Sequence, residues 1–201
     1  MNAGEATPQP GREAAGEISL RPIALGDEPW LYRIYASTRE EELAPTGWDE
    51  AQREAFLTMQ FDAQHRYYQE YYAGALFQLI LYDGVPAGRL YVNRGAEELR
   101  IVDIALLPTY RRRGIGTTLL RALQAEGAQA RQPVTIHVER LNPALRLYER
   151  LGFRVSADKG VYLLLAWPTA SVAPVSGEDR FVAQATRSGA ERDEEEIERT
   201  D

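Results

Sequence analysis

The segment ELRIVDIALLPTYRRRGIGTTLL, residues 98–120, constrains the fold more than any other part of the sequence. It begins as a near-continuous apolar run, which is typical of a strand buried in a sheet. It ends as an apolar-periodic run, which is typical of a helix. Three arginines and two glycines stand between them, at positions 111–114 and 116. The segment therefore predicts a strand, a tight turn and a helix, with positive charge gathered where the helix begins.

This turn is suited to binding an anion. A helix N-terminus exposes unpaired N–H groups and the positive end of the helix dipole. Glycine lets a phosphate approach that backbone, and arginine adds charge-assisted donors. Two commoner phosphate loops do not fit, because the Walker pattern needs a lysine here and the dinucleotide fingerprint needs glycine where Leu119 stands. The turn predicts a site for a pyrophosphate.

The whole chain predicts a mixed α/β fold with the element order β-α-α-β-β-β-α-β-α-β-β. Residues 17–25 alternate like a strand, and Asp27 followed by Pro29 predicts the start of a first helix. DGVP at residues 83–86 predicts a hairpin turn. In the second half, a strand, a helix and a further strand predict a right-handed crossover within a mixed sheet.

A second helix is predicted to begin near Asp49. Its apolar residues recur at helical spacing, which predicts a buried stripe that packs on the sheet. The predicted stripe consists of Phe56, Met59, Ala63, Tyr67 and Tyr71.

Composition predicts one domain with two tails. The chain has 201 residues, 44% of them hydrophobic, which suffices for one core, and we place the domain at residues 17–167. Residues 1–16 are rich in Ala, Gly, Pro and Glu and predict a disordered tail. Residues 168–201 predict a linker and an acidic tail, whose last 24 residues carry a net charge of −5 out of −7 for the chain. This leaves no broad basic field, so nucleic-acid binding is not expected.

Cysteine is absent, which excludes disulfides, thiolate metal sites and an acyl-cysteine intermediate, and no metal is expected. No apolar run approaches the length of a membrane span, so no membrane association is expected. The first residues lack a basic start followed by an apolar block, and a cytoplasmic location is the default expectation.

Two motifs together resemble the GCN5-related N-acetyltransferase (GNAT) superfamily. Arg-x-x-Gly-x-Gly, residues 111–116, resembles its acyl-coenzyme A loop. NPALRLYERLGFRV, residues 142–155, resembles its Asn…Tyr-x-x-x-Gly-Phe segment downstream. The likeness covers roughly residues 17–167 and agrees with the predicted element order.

The resemblance implies a splayed sheet and acetyl-coenzyme A as the acyl donor. Asn142 would lie near the pantetheine arm and Tyr148 beside the thioester sulfur, although capping and core packing explain these residues as well. The implied cofactor-binding residues are Leu106, Leu107, Arg111, Arg112, Arg113, Gly114, Ile115, Gly116, Thr117, Asn142 and Tyr148.

Acyl transfer to an amine needs a polarised carbonyl, a protonated leaving thiolate and a deprotonated nucleophile. The resemblance implies the backbone N–H near Leu106 as the oxyanion donor, and the Tyr148 phenol could protonate the thiolate. Without cysteine, direct transfer in a ternary complex is favoured. His137 is a candidate base, with Glu139 on the same strand face. Asp103 within an apolar strand could be catalytic, could bind substrate or could form a buried ion pair.

The sequence therefore predicts an acetyl-CoA-dependent N-acyltransferase acting on a small-molecule or peptide amine, with a homodimer as one possibility. Glu40, Glu41 and Glu42 could attract a cationic amine or could be a solvated helix end. A non-catalytic acyl-CoA-binding sensor and an interaction protein working through the acidic tail are the alternatives.

Overall fold

The computed structural model describes residues 16–168, and its element order is the predicted one. The strands are β1 Ile18–Pro22, β2 Leu76–Tyr82, β3 Val85–Arg94, β4 Leu99–Leu106, β5 Val134–Glu139, β6 Arg154–Lys159 and β7 Tyr162–Trp167. The α-helices are α1 Glu28–Leu43, α2 Glu50–Tyr71, α3 Ile115–Ala130 and α4 Leu145–Arg150. The two predicted tails lie outside the described residues, apart from Gly16 and Pro168.

The strands form one sheet in the order β1-β2-β3-β4-β5-β7-β6. Neighbouring strands are antiparallel except for β4 and β5, whose parallel pairing joins residues 99–101 to residues 134–136. Beyond this point β4 continues to Leu106 without pairing to β5. The predicted mixed, splayed sheet is confirmed.

A β-bulge marks the place where the two strands separate. Tyr91 and Val92 are neighbours in β3, yet they pair with Asp103 and Ile101 of β4, so Val102 is the extra residue. A bulge bends its strand and increases the local twist. The bulge therefore coincides with the point at which β4 leaves β5.

The helices cover the two faces of the sheet around separate apolar clusters. On one face, α3 and α4 bury residues that include Leu120 and Tyr148 against β3, β4 and β5. On the other face, α1 and α2 bury Leu31, Ile34 and Phe61 against the sheet. Side chains of β5 alternate between these faces, and those of β4 do so on either side of the bulge at Val102.

The predicted helix starts are confirmed in position. Asp49 forms a capping box with Gln52 at the start of α2. Asp27 precedes α1 but does not cap it, because its carboxylate accepts hydrogen bonds from Arg21 and from the backbone N–H of Ala24.

The predicted stripe of α2 is wrong at two of its five residues. Met59 and Tyr71 are 53% and 55% exposed, whereas Phe61, outside the predicted stripe, is 2% exposed. Tyr67 is buried as predicted. Apolar side chains occur around much of this helix, so its periodicity fits more than one face, and packing against α1 selects the face that contains Phe61.

Candidate active site

The end of β4 presents an unpaired backbone edge to the opening beside β5. The N–H of Leu107 donates to the Ala87 carbonyl of β3 at 2.9 Å. Successive N–H groups of a strand point to opposite sides. The N–H of Leu106 therefore points away from β3 and into the opening.

Gly88 of β3 fixes how closely the end of β4 approaches. Gly88 lies opposite Leu106, and a Cβ at Gly88 would overlap the backbone carbonyl oxygen of Ala105. Any larger residue would push the two strands apart at the point where the open edge lies.

The glycine turn begins α3 as the sequence predicts. Gly114 is the N-cap residue and has a φ of 83°, in the left-handed region that favours glycine. The first bond of the helix runs from the N–H of Thr118 to the Gly114 carbonyl. The N–H groups of Ile115, Gly116 and Thr117 are therefore those of the first helical turn, which find no acceptor within a helix.

The three arginines of the turn have different surroundings. Arg111 donates from Nε to the Leu106 carbonyl at 2.9 Å and from Nη2 to the Ser37 carbonyl at 3.2 Å. The Arg113 guanidinium lies 5.6 Å from the ring centres of Tyr82 and Tyr110. Arg112 adopts a φ of 60°, and within residues 16–168 no hydrogen bond, ion pair or ring contact involves its side chain.

Tyr148 is held by the C-terminal cap of α4. The N–H of Gly152 donates to the Glu149 carbonyl and that of Phe153 to the Tyr148 carbonyl, which is the Schellman pattern. Gly152 has a φ of 86°, the left-handed conformation that this cap requires. Phe153 packs edge-on against the Tyr148 ring at 5.6 Å.

Tyr148 is buried, with 4% of the residue exposed to solvent. Burial raises its pKa above the ordinary 10.0, and the negative charge of Asp103 raises it further. Among residues 16–168 no hydrogen bond involves its hydroxyl. Tyr148 therefore keeps its proton at neutral pH and shares that proton with no described neighbour.

Asn142 lies in the turn before α4. Its side-chain Oδ1 accepts a hydrogen bond from the N–H of Ala144 at 2.9 Å. The N-cap residue of α4 is Ala144, and no side chain caps this helix. The capping role considered for Asn142 is therefore wrong, because its side chain closes a local turn before the helix begins.

The candidate bases all lie towards α1 and α2. Asp103 accepts a hydrogen bond from Arg89 at 2.6 Å, so the buried ion pair considered for it is present. His137 Nδ1 lies 3.2 Å from Arg100 Nη1. Because guanidinium only donates, this contact uses the Nδ1 lone pair and places the proton of a neutral ring on Nε2. A base role for His137 would require this contact to break.

Glu139 and helix α1 meet at the far side of the opening. Glu139 accepts a hydrogen bond from the Tyr162 hydroxyl at 3.2 Å and lies 3.6 Å from Arg39 Nη1. Arg39 also pairs with Glu42 at 2.9 Å, while Glu40 and Glu41 are exposed. One of the three acidic side chains that could attract an amine is thus already paired with a cation.

Sequence reasoning missed Arg89, Arg100 and Arg39. Arg89 is 3% exposed, and it contacts Gln64 of α2 as well as Asp103. Arg89 and Arg100, like Asp103, are charged residues inside apolar strands. This pattern indicates a specific role or partner and could have identified both arginines from the sequence. Arg39 and Arg100 also have acidic partners close by in the sequence, Glu42 and Glu98. The contacts with Asp103, His137 and Glu139 join different elements, and only the fold brings them together.

Residues 16–168 contain no group of three or more His, Cys, Asp or Glu side chains placed to hold a metal ion. None of the helices there is long and apolar enough to cross a bilayer.

A family model described as the acetyltransferase (GNAT) family matches residues 31–153. The chain belongs to the GNAT family. The match includes the glycine turn, the open end of β4 and the Tyr148 helix. The expected family membership is thus confirmed.

Solved structures of two acetyltransferases resemble the fold. The PaiA N-acetyltransferase of Thermoplasma acidophilum, in complex with coenzyme A, is 18% identical with a TM-score of 0.57, over 75% of this chain and 98% of that one. An acetyltransferase of Thermus thermophilus is 21% identical with a TM-score of 0.55, over 76% of this chain and 97% of that one. A search of curated protein sequences finds no match.

Proposed function

We propose that this GNAT protein transfers an acetyl group from acetyl-CoA directly to an amine in a ternary complex. The observation that carries the proposal is the open edge of β4, where the Leu106 N–H faces the opening close to the start of α3. Family membership and the coenzyme A complex of the Thermoplasma acidophilum protein support it.

The residues at this opening fit a coenzyme A thioester. The first-turn N–H groups of Ile115, Gly116 and Thr117 would bind the pyrophosphate, with Gly114 leaving the backbone accessible. A Cβ on Gly114 would meet nothing within 4 Å, so the surface above this residue is open. Arg112 adds a cation that no described side chain neutralises.

The pantetheine arm would lie along the unpaired edge formed by the end of β4. An extended ligand that pairs with an exposed strand edge gains backbone hydrogen bonds, as peptides do in β-augmentation. Leu106 would form this edge, with Asn142 beside the arm, whereas the backbone N–H and C=O of Leu107 already bond to Ala87 and Tyr110.

Acetyl-CoA supplies an acetyl group activated as a thioester. The Leu106 N–H would donate to the carbonyl oxygen as negative charge develops there, which stabilises the transition state. The amine nitrogen bonds to the carbonyl carbon, the carbon–sulfur bond breaks, and Tyr148 would give its proton to the leaving thiolate. Its raised pKa keeps the Tyr148 phenol protonated at neutral pH, so the proton is present when the thiolate leaves.

The amine would enter from the face of the sheet that carries α1 and α2. Glu139, Asp103 and His137 lie on this face and are the proposed proton acceptors, directly or through water. Each already has a cationic or hydrogen-bonding partner, so an amine that arrives deprotonated would need only weak assistance.

Calorimetry with acetyl-CoA and thiol release with an amine panel test the proposal. Saturation at 100 times the dissociation constant should raise the free energy of unfolding by about 2.7 kcal/mol. Thiol release that depends on an amine would support the transferase. Tight acetyl-CoA binding without thiol release would favour the non-catalytic sensor instead. Absence of acetyl-CoA binding would overturn the proposal. A cytoplasmic location and a homodimer stay predictions.

A further inference from the structure

Arg111 joins three parts of the molecule that the reaction would use. Its backbone lies at the start of the glycine turn, and its side chain reaches the Leu106 carbonyl at 2.9 Å and the Ser37 carbonyl of α1 at 3.2 Å. The N–H and C=O of one strand residue point to the same side. The Arg111 guanidinium thus binds the residue whose N–H is the proposed oxyanion donor.

Helix α1 is also attached to the other side of the opening. Arg39, two residues beyond Ser37, lies 3.6 Å from Glu139 at the end of β5. Through Ser37 and Arg39, helix α1 therefore connects the end of β4 to the end of β5 across the gap between the strands. This part of α1 forms a wall on the face from which the amine would enter.

We propose that Arg111 is a positioning residue which couples occupancy of the glycine turn to the order of the α1 wall at residues 37–43. This inference rests on the proposed function. A phosphate bound by the turn would restrict the backbone next to Arg111, so the two hydrogen bonds of its side chain would persist longer. Coupling of this kind is reciprocal, so ordering the α1 wall would also tighten coenzyme A binding.

The surroundings of the three arginines separate this role from phosphate binding. The described hydrogen bonds of Arg111 go to two backbone carbonyls, while Arg113 lies against two tyrosine rings. Arg112 is the one whose side chain has no partner among the described residues. Arg112 is therefore the matched control, as the side chain assigned to phosphate.

Hydrogen exchange with and without coenzyme A tests the coupling without knowledge of the acceptor. In the wild type, saturating coenzyme A should slow hydrogen exchange both in the glycine turn and at residues 37–43. At residues 37–43 the exchange should slow by about fivefold or more, since fivefold is the lower end of ordinary coupling between two sites. Arg111→Gln should keep the effect in the turn and lose it in the α1 wall. Arg111→Lys, which can reach one carbonyl at a time, should restore part of it.

Two control variants distinguish coupling from general loosening. Arg112→Gln should weaken coenzyme A binding yet retain slowed exchange in the α1 wall once saturated. Arg39→Gln should speed exchange in the wall but keep its response to coenzyme A. The inference is overturned if Arg111→Gln keeps the response, or if it weakens coenzyme A binding as much as Arg112→Gln does. A wild type in which coenzyme A leaves the turn unchanged would instead overturn the proposed function.

Discussion

Replacing Tyr148 by Phe separates catalysis from packing. The change removes one oxygen and keeps the ring, so the edge-on contact with Phe153 at 5.6 Å survives. No described hydrogen bond involves the hydroxyl, so none of those bonds is lost. We therefore expect the free energy of unfolding to change by less than about 1 kcal/mol, which is the usual net contribution of one hydrogen bond to stability.

The expected loss of activity is much larger. A general acid contributes a factor of about 10² to 10⁴ to the rate, which corresponds to about 2.7–5.5 kcal/mol in the activation barrier. Because burial and Asp103 raise the pKa of Tyr148 above 10.0, the wild type should lose no activity through deprotonation of Tyr148 below that pH.

The assay measures kcat by thiol release with an amine acceptor, together with acetyl-CoA affinity and Tm. Tyr91→Phe is the matched control, since Tyr91 is fully buried and its hydroxyl also has no hydrogen-bond partner among the described residues. It should leave kcat unchanged. Unchanged kcat in Tyr148→Phe, with a lowered Tm, would refute the acid role and make Tyr148 a core residue.

Four further variants or conditions give independent checks. Gly88→Ala should lower stability by about 1–3 kcal/mol, because its Cβ meets the carbonyl of the facing strand, and lower kcat with it; unchanged values would show that the strands separate freely there. Gly114→Val should lower Tm through its φ of 83° and also abolish the Tm increase produced by acetyl-CoA; an increase equal to that of the wild type would contradict the phosphate site. His137→Gln should displace the acidic limb of kcat/KM if the imidazole is the base, and an identical pH profile would favour the carboxylates. Stability measured by Tm should fall between pH 10 and 12, because burial raises the pKa of Tyr91 from 10.0 to about 12, so the unfolded chain loses that proton first; Tyr91→Phe should lessen this fall.

The local elements could be predicted from the sequence because each has a short-range cause. The Asp49 capping box, the left-handed Gly114 and the Gly152 cap depend on residues within a few positions along the chain. The two motifs also indicated the family, because their residue types and spacing are unusual in combination.

The face of α2 and the partners of the charged residues were decided by the tertiary structure. Met59 was predicted to be buried and Phe61 was not, because the helix offers apolar side chains on several faces and packing against α1 selects one. A carboxylate within an apolar strand indicated that Asp103 has a special role or a polar partner. The partner itself, Arg89, could not be predicted, because it lies 14 residues away on another strand. Which strand residues face each other depends on the register, which the bulge at Val102 shifts by one position. The opening beside β5 exists because the parallel pairing stops after three residue pairs, a result of twist and packing across the whole sheet.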